Sequence, residues 1–400
     1  AGGAAMPKAV RQFLDDADVI FGVGCSFGET NFGVQMPKGK IIIHATLDPK
    51  HLNKDLEARV GLIGDAVLTL DALLAELTRR MKFPRDLKGK TVVVTTGTTN
   101  ERAIKDYNEA IKINPNYALA YYDRGIVYYD RHDYERAVTD LSKAVELDPK
   151  DSLAYYNRGL TYRAKGEMDK ALADFDAAIK LDPKNPLPFY NRGLASRDKG
   201  DHERAIADFS TSIRLDARNA LAFYNRGLSY WDMRQAERAM QDYEQAIRIN
   251  PGYAPAYYSR GLAHFEKKDY DRAINDLNQA INGRPNYPVA FNTRGMAYAA
   301  KGETDRAIQD LDQAVRLDSK FAVAHNNRGE LFLGKRDLER AIADFDNAVK
   351  ANPNFDVAFY NRANAYRDKR EWDKAAADYG QVLKLNPKHA SAYSNRGFAY

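Results

Sequence analysis

The sequence predicts a mainly α-helical solenoid of antiparallel helix pairs, preceded by a partial α/β segment. Three observations carry this reading. An arginine recurs every 34 residues, from Arg124 through Arg158, Arg192, Arg226, Arg260, Arg294, Arg328 and Arg362 to Arg396, followed by glycine every time except at Ala363. An aspartate recurs at the same period from Asp106 to Asp378. The first hundred residues lack the period and carry two β-rich runs instead. A fixed period of this length marks stacked copies of one supersecondary unit, and such arrays hold other molecules more often than they catalyse.

The opening segment comes first. Residues 17–24, A-D-V-I-F-G-V-G, form an apolar run ending in G-x-G, and residues 40–47, K-I-I-I-H-A-T-L, form a second run. Asp65–Arg80 reads as an amphipathic helix rich in leucine and alanine. Strand, loop, strand and helix in that order suggest part of a parallel, Rossmann-like α/β sheet. G-x-G alone is a weak phosphate-binding signal, because the fuller fingerprint is missing. With L-N-K-D and G-D-A-V-L-T-L-D-A-L-L further on, residues 7–80 resemble the later part of the central domain of thiamine-diphosphate-dependent enzymes of the acetolactate synthase type. The resemblance implies chemistry that needs two other domains, which supply an activating glutamate and a G-D-G metal-binding motif. Neither is present in this sequence. Flavin-binding relatives carry an aspartate where this chain has Thr46. No cofactor and no catalytic residue is therefore expected. Cys25, the one cysteine, reads as a loop residue without a base beside it, and it rules out an internal disulfide. The segment is taken as residues 1–82, with a linker over 83–99. Being incomplete, it should be less stable than the array.

The array spans residues 100–400. Asn100–Tyr117 matches only the second half of a unit, eight full repeats run from 118–151 to 356–389, and 390–400 begin a ninth. Each repeat reads as two helices, A and B. Helix A carries an aromatic at position 4 (Tyr121, Tyr155, Phe189 and onward), glycine at position 8 and usually an aromatic at position 11. These intervals fall on one helical face. Glycine inside a helix costs roughly 1 kcal/mol against alanine, so its recurrence implies a close-passing neighbour. A turn follows, often glycine then an acid (Gly166-Glu167, Gly200-Asp201, Gly302-Glu303). These suit the end of helix A and the start of helix B. In helix B, alanine holds position 20 from Ala137 to Ala375 and a bulky residue holds position 24 from Leu141 to Tyr379. Small against large predicts interlocking packing between the two helices. Proline stops helix B in most repeats, and Ala217 and Ser319 stand in its place in two. Those two junctions are expected to be less sharply defined.

Aromatic-4, Gly-8, aromatic-11, Ala-20, bulky-24, Ala-27 and Pro-32 closely resemble the tetratricopeptide repeat (TPR), with arginine replacing the family's leucine at position 7. The resemblance covers about three quarters of the chain. It implies a right-handed superhelix whose concave groove holds peptides or partner proteins.

Three polar ladders run through the repeats. The position-7 arginines and position-23 aspartates alternate in strict phase, which favours mutual pairing, within a repeat or across a junction, over capture of acidic ligands. Position 6 is asparagine at Asn157, Asn191, Asn225, Asn327, Asn361 and Asn395. Asparagine is a poor helix former, and an amide offers the donor and acceptor that a peptide backbone needs. The ladder is similar to that of the O-GlcNAc transferase repeats, where such asparagines hold an extended peptide. The alternative is that the amides bridge neighbouring helices. Position 5 is tyrosine at Tyr156, Tyr190, Tyr224 and Tyr360, among others. It is suited to side-chain stacking on a ligand, or equally to packing on the next helix. Repeats that clamp chaperone C-termini need lysine near this position, and tyrosine stands there instead.

Composition is consistent with this. Net charge is only +5, from 60 basic and 55 acidic residues, and the two signs are interleaved. This argues against a nucleic-acid footprint. No apolar run approaches the length of a membrane span, and no basic-then-apolar signal opens the chain. The sequence starts without methionine and stops partway through a repeat, so both ends read as cut. The expected partners are proteins or peptides, held by the position-5 and position-6 residues.

Overall fold

The computed structural model describes residues 19–23, 41–46, 60–63 and 100–400. They belong to two compact bodies, residues 1–199 and 200–400. In the first, strands β1 (Val19–Val23), β2 (Ile41–Thr46) and β3 (Val60–Ile63) pair in parallel in that order, with Val19 opposite Ile41 and Ile43 opposite Val60. β1 and β2 fall on the two β-rich runs. The helix expected over Asp65–Arg80, Cys25 and the linker over 83–99 lie outside the described residues.

The rest of the first body is helical: α1 (Asn100–Ile113), α2 (Ala118–Asp130), α3 (Tyr134–Leu147), α4 (Ser152–Ala164), α5 (Met168–Leu181) and α6 (Pro186–Asp198). The second body begins with α7 (His202–Leu215), α8 (Ala220–Asp232), α9 (Ala236–Ile249), α10 (Ala254–Glu266), α11 (Tyr270–Gly283) and α12 (Pro288–Ala300). It continues with α13 (Thr304–Leu317), α14 (Ala322–Gly334), α15 (Leu338–Ala351), α16 (Asp356–Asp368), α17 (Trp372–Leu385) and α18 (Ala390–Ala399). Even-numbered helices are the A helices and odd-numbered ones the B helices.

The A-to-B turn has one geometry throughout. Position 15 is left-handed in all eight full repeats: Gly166, Gly200 and Gly302, but also His132, Arg234, Lys268, Arg336 and Arg370, with φ between 60° and 81°. In the first repeat the His132 N–H donates to the Tyr129 carbonyl and the Asp133 N–H to the Tyr128 carbonyl. That doubled closure is a Schellman motif. Aspartate at position 16 then caps helix B: Asp133, Asp201, Asp269 and Asp337 accept from the backbone N–H three residues on. The longer Glu167, Glu303 and Glu371 do not cap.

The B-to-A junction differs from expectation. Every B helix ends at position 30, and α7 and α13, which lack the later proline, end as sharply as the rest. The stop is set one residue before the proline. At position 31, Asp148, Asp182, Asp216, Asn250, Asp318, Asn352 and Asn386 each accept the N–H two residues on through Oδ1. This side-chain turn competes with helical continuation. Proline follows a helix that has already ended.

Packing between A and B rests on the position-8 glycines. A Cβ added at Gly227 would lie 2.7 Å from the Tyr243 ring, and one at Gly159 would lie 2.8 Å from the Phe175 ring. The position-20 alanines and the position-24 side chains are buried throughout. Ala363, the exception at position 8, is buried in one cluster with Tyr379. The Tyr379 ring stands at 59° to Tyr360, where Tyr243 stands at 44° to Tyr224, and its hydroxyl donates to Asn364 Oδ1.

Candidate functional site

At 100° per residue, the positions of helix A separate into faces. Positions 4, 8 and 11 meet the B helix of the same repeat. Positions 3 and 10 are small and buried: Ala154 and Thr161 in the first body, Ala256 and Ala263 in the second. Positions 2, 5, 6, 9 and 13 remain, and they form the outward face. Position 2 is aliphatic and exposed in five repeats, and half-buried at Leu119, Pro255 and Val289. Leu153 and Leu187 are 37% and 47% exposed in the first body, and Leu221, Val323 and Val357 are 45%, 43% and 46% exposed in the second. The sequence reading passed over these residues, although they recur in phase with the arginines. Below them, position 9 is mostly half-buried and aliphatic, as at Leu160, Leu194, Leu228, Leu262 and Met296.

The position-6 asparagines join neighbouring repeats. The Nδ2 groups of Asn157, Asn191 and Asn395 donate to the hydroxyls of Tyr122, Tyr156 and Tyr360, each 35 residues earlier, at 2.9, 2.9 and 3.1 Å. Asn327 and Asn361 donate at the same spacing to Asn292 Oδ1 and Asn326 Oδ1. The second amide hydrogen goes back along the same helix, to the carbonyls of Leu153, Leu187 and Leu221 from Asn157, Asn191 and Asn225. For Asn157 and Asn191 both donors are thus committed. Their Oδ1 atoms accept no hydrogen bond from the described residues.

The position-5 tyrosines are half-buried with their rings against position 24. Tyr156 lies over Phe175 with centroids 6.1 Å apart, Tyr224 over Tyr243 at 6.0 Å and Tyr360 over Tyr379 at 5.8 Å. Burial pushes the Tyr156 hydroxyl up to about 12 and raises Tyr190 above its ordinary value. Two of the rings have a second aromatic neighbour as well: Tyr224 has Tyr253 at 5.2 Å and Tyr360 has His389 at 4.8 Å between centroids.

In seven repeats the arginine pairs with the aspartate of its own repeat. Nε of Arg124, Arg158, Arg226, Arg260, Arg294, Arg328 and Arg362 lies 2.7–2.8 Å from Oδ2 of Asp140, Asp174, Asp242, Asp276, Asp310, Asp344 and Asp378, and Nη2 completes the fork on Oδ1. Nη1 reaches position 25 of the preceding repeat: Asn108, Ser142 and Asp176 in the first body, Ser210, Asn278, Asp312 and Asp346 in the second. Each guanidinium also lies over an aromatic ring at position 4 wherever one is present, between 5.3 and 5.8 Å from its centroid. Hydrogen bonding to Asp140 raises Arg124 further above its ordinary value against the opposing effect of burial. The forks hold the scaffold together and offer little to an acidic ligand.

One repeat departs from the others. His325 replaces the aromatic at position 4 and is buried, with Nδ1 3.3 Å from Asp344 Oδ1 and Nε2 3.2 Å from the Ser319 carbonyl. Burial raises both Asp344 and Asp378. In Asp378 burial outweighs the bonds from Arg362, whereas in Asp344 the bonds from Arg328 and His325 outweigh burial and hold the carboxyl below its ordinary value. The same repeat carries Glu330 at position 9, where the three preceding repeats have Leu228, Leu262 and Met296. Glu330 Oε1 accepts from Asn326 Nδ2 at 2.8 Å and from Asn361 Nδ2 at 2.6 Å.

Among the described residues no group of three or more His, Cys, Asp or Glu could hold a metal ion, and no helix is long and apolar enough to cross a membrane.

Known families match this geometry. Residues 122–186, 224–288 and 292–354 match the model of the tetratricopeptide repeat, and residues 99–131, 193–233 and 363–400 match a second model of the TPR repeat. Residues 1–73 match the model of the thiamine pyrophosphate enzyme central domain. No curated protein matches the chain. Among solved structures, the Cut9–Hcn1 hetero-tetramer of the APC/C is 18% identical with a TM-score of 0.50, over 74% of this chain and 58% of that one. MamA is 29% identical with a TM-score of 0.39, over 41% of this chain and 96% of that one. YrrB, a TPR protein with an unusual peptide-binding site, is 24% identical with a TM-score of 0.41, over 47% and 96%. The first of these is a likeness of fold.

Proposed function

The chain belongs to the tetratricopeptide repeat family, and on that premise we propose that it holds extended peptide segments of partner proteins on the outward face of its A helices. This is the face that lines the concave groove in the family's superhelix. The observation that carries the reading is the exposed aliphatic residue at position 2, repeated in phase in both bodies. Folding does not require it, since positions 3, 8, 10 and 20 already bury the interfaces. Apolar side chains that packing leaves open at one recurring position point to a contact site.

Each ladder has a role in this reading. The position-2 and position-9 side chains take apolar residues of the segment. Asn157 and Asn191, with Asn225, Asn327, Asn361 and Asn395 further along, accept the segment's backbone N–H groups through Oδ1. Tyr156, Tyr190, Tyr224 and Tyr360 flank it with ring edges. We also divide the chain into an α/β segment at 1–82, a linker at 83–99 and the array at 100–400, and the family matches at 1–73 and from 99 onward support this.

A random peptide library displayed on phage and selected on the full chain tests the site. The expected result is enrichment of aliphatic segments. Synthetic copies should bind at least roughly tenfold more weakly when Val323→Ser and Val357→Ser are combined, because two apolar contacts are lost. Helicity should not change, since these side chains are exposed. Unchanged affinity in the double variant would place binding elsewhere.

A further inference from the structure

We propose that Glu330 is the seat for a lysine or arginine side chain within an otherwise aliphatic peptide segment lying along α12, α14 and α16. The proposal rests on the reading of the outward face as a peptide site and adds the chemistry of what it selects.

Three observations point to a cation. First, Glu330 is an exposed carboxylate placed where the preceding repeats present leucine or methionine. Replacing an aliphatic contact by a charge weakens apolar docking there unless a charge arrives with the ligand. Second, its Oε1 is fixed by two amide donors, one from its own helix and one from the next A helix, and Asn326 is itself buried. Neither donor carries charge. No lysine, arginine or histidine nitrogen among the described residues comes within 4.0 Å of it, whereas Asp368 on the same face is paired with Arg367 at 2.9 Å. Third, the outward face of the second body runs against the charge of the molecule. Across positions 2, 5, 6, 9 and 13 it carries Asp232, Glu266, Glu330 and Asp368 and no lysine or arginine, with Arg367 beside them at position 12, in a chain whose net charge is +5.

The neighbours of Glu330 specify the rest of the segment. Val323 and Val357 stand exposed on the two A helices whose amides hold the carboxylate. A long cationic side chain can lay its stem on this aliphatic surface while its head reaches the carboxylate. Complementary charge of this kind sets register and selectivity more than raw affinity. The expected recognition element is therefore one basic residue at a fixed register between aliphatic ones.

The test uses the same displayed library on the full chain at neutral pH. Peptides recovered on the wild-type protein should carry lysine or arginine at one register beside aliphatic residues. A synthetic copy of one of them, and the same peptide with that lysine changed to glutamine, are then titrated against wild type, Glu330→Gln and Glu330→Lys by fluorescence anisotropy. On wild type the glutamine peptide should bind roughly fivefold to tenfold more weakly, as for a part-exposed, hydrogen-bonded charge pair. On Glu330→Gln the two peptides should bind alike, and on Glu330→Lys the lysine peptide should be the weaker. Circular dichroism confirms that both variants fold. An equal loss on wild type and Glu330→Gln overturns the cation seat. So does selection of aliphatic peptides without a basic register, and in that case the docking reading survives. Failure to enrich any peptide overturns both.

Discussion

At position 7, a guanidinium ties three helices together: its own, the B helix beside it and the B helix of the repeat before. The pairing with aspartate was legible in the sequence because both partners keep one residue type in strict phase. The third partner was not, because position 25 changes from Asn108 to Ser142 to Asp176 and shares only the capacity to accept a hydrogen bond. The asparagines show the same limit. Their residue type announced a hydrogen-bonding ladder, but periodicity recurs alike for a ligand contact and for a bridge between helices. Only the 35-residue offset, with one amide hydrogen on the previous Tyr156 hydroxyl and the other on the Leu187 carbonyl of Asn191's own helix, shows where the donors go. A double-mutant cycle tests the fork. Arg226→Leu leaves the buried Asp242 carboxylate without its cation and should cost about 3–5 kcal/mol. Arg226→Leu with Asp242→Leu should cost less, because no charge is then stranded. Urea denaturation gives both values, and additive losses would count against the pair.

Helix length in this array is set by its ends. The B helices stop at position 30 whether or not proline follows, and in seven of the eight full repeats the aspartate or asparagine at position 31 closes its own turn there, Arg284 after α11 being the exception. Proline drew attention in the sequence as the conspicuous helix breaker, while the residue before it governs the stop. Left-handed position 15 was equally obscured, since only Gly166, Gly200 and Gly302 announce it and five other repeats hold the same turn with ordinary side chains. The Asp216 and Asp318 backbones, at φ −137°, ψ 93° and φ −138°, ψ 96°, match Asp148 and Asn352, which precede prolines. Ala217→Pro and Ser319→Pro should therefore fit without strain. Each should stabilise by about 0.4–1 kcal/mol through the unfolded chain, read as a rise in the denaturation midpoint. A fall would mean that one of these N–H groups is needed.

Across the whole chain, a repeat contacts chiefly the repeats beside it, so stability should approximate a sum of repeats and seams. The family and the alternation of helices were legible because the same choices return eight times. The outward face was legible only in part, since its exposed Leu153, Leu187 and Leu221 look like any other apolar helix positions until burial separates them. Excising residues 288–321 tests the additive picture. Arg328 would then meet Asn278 where it now meets Asp312, and Asn327 would meet the Tyr258 hydroxyl where it now meets Asn292 Oδ1. Each replacement is again an acceptor. The shortened chain should stay fully helical and cooperative with a somewhat lower urea midpoint, and a molten product would refute it. Joints that ask only for an oxygen on the far side let any copy follow any other. A gene encoding such a chain can gain or shed a whole copy in one step without designing a new boundary.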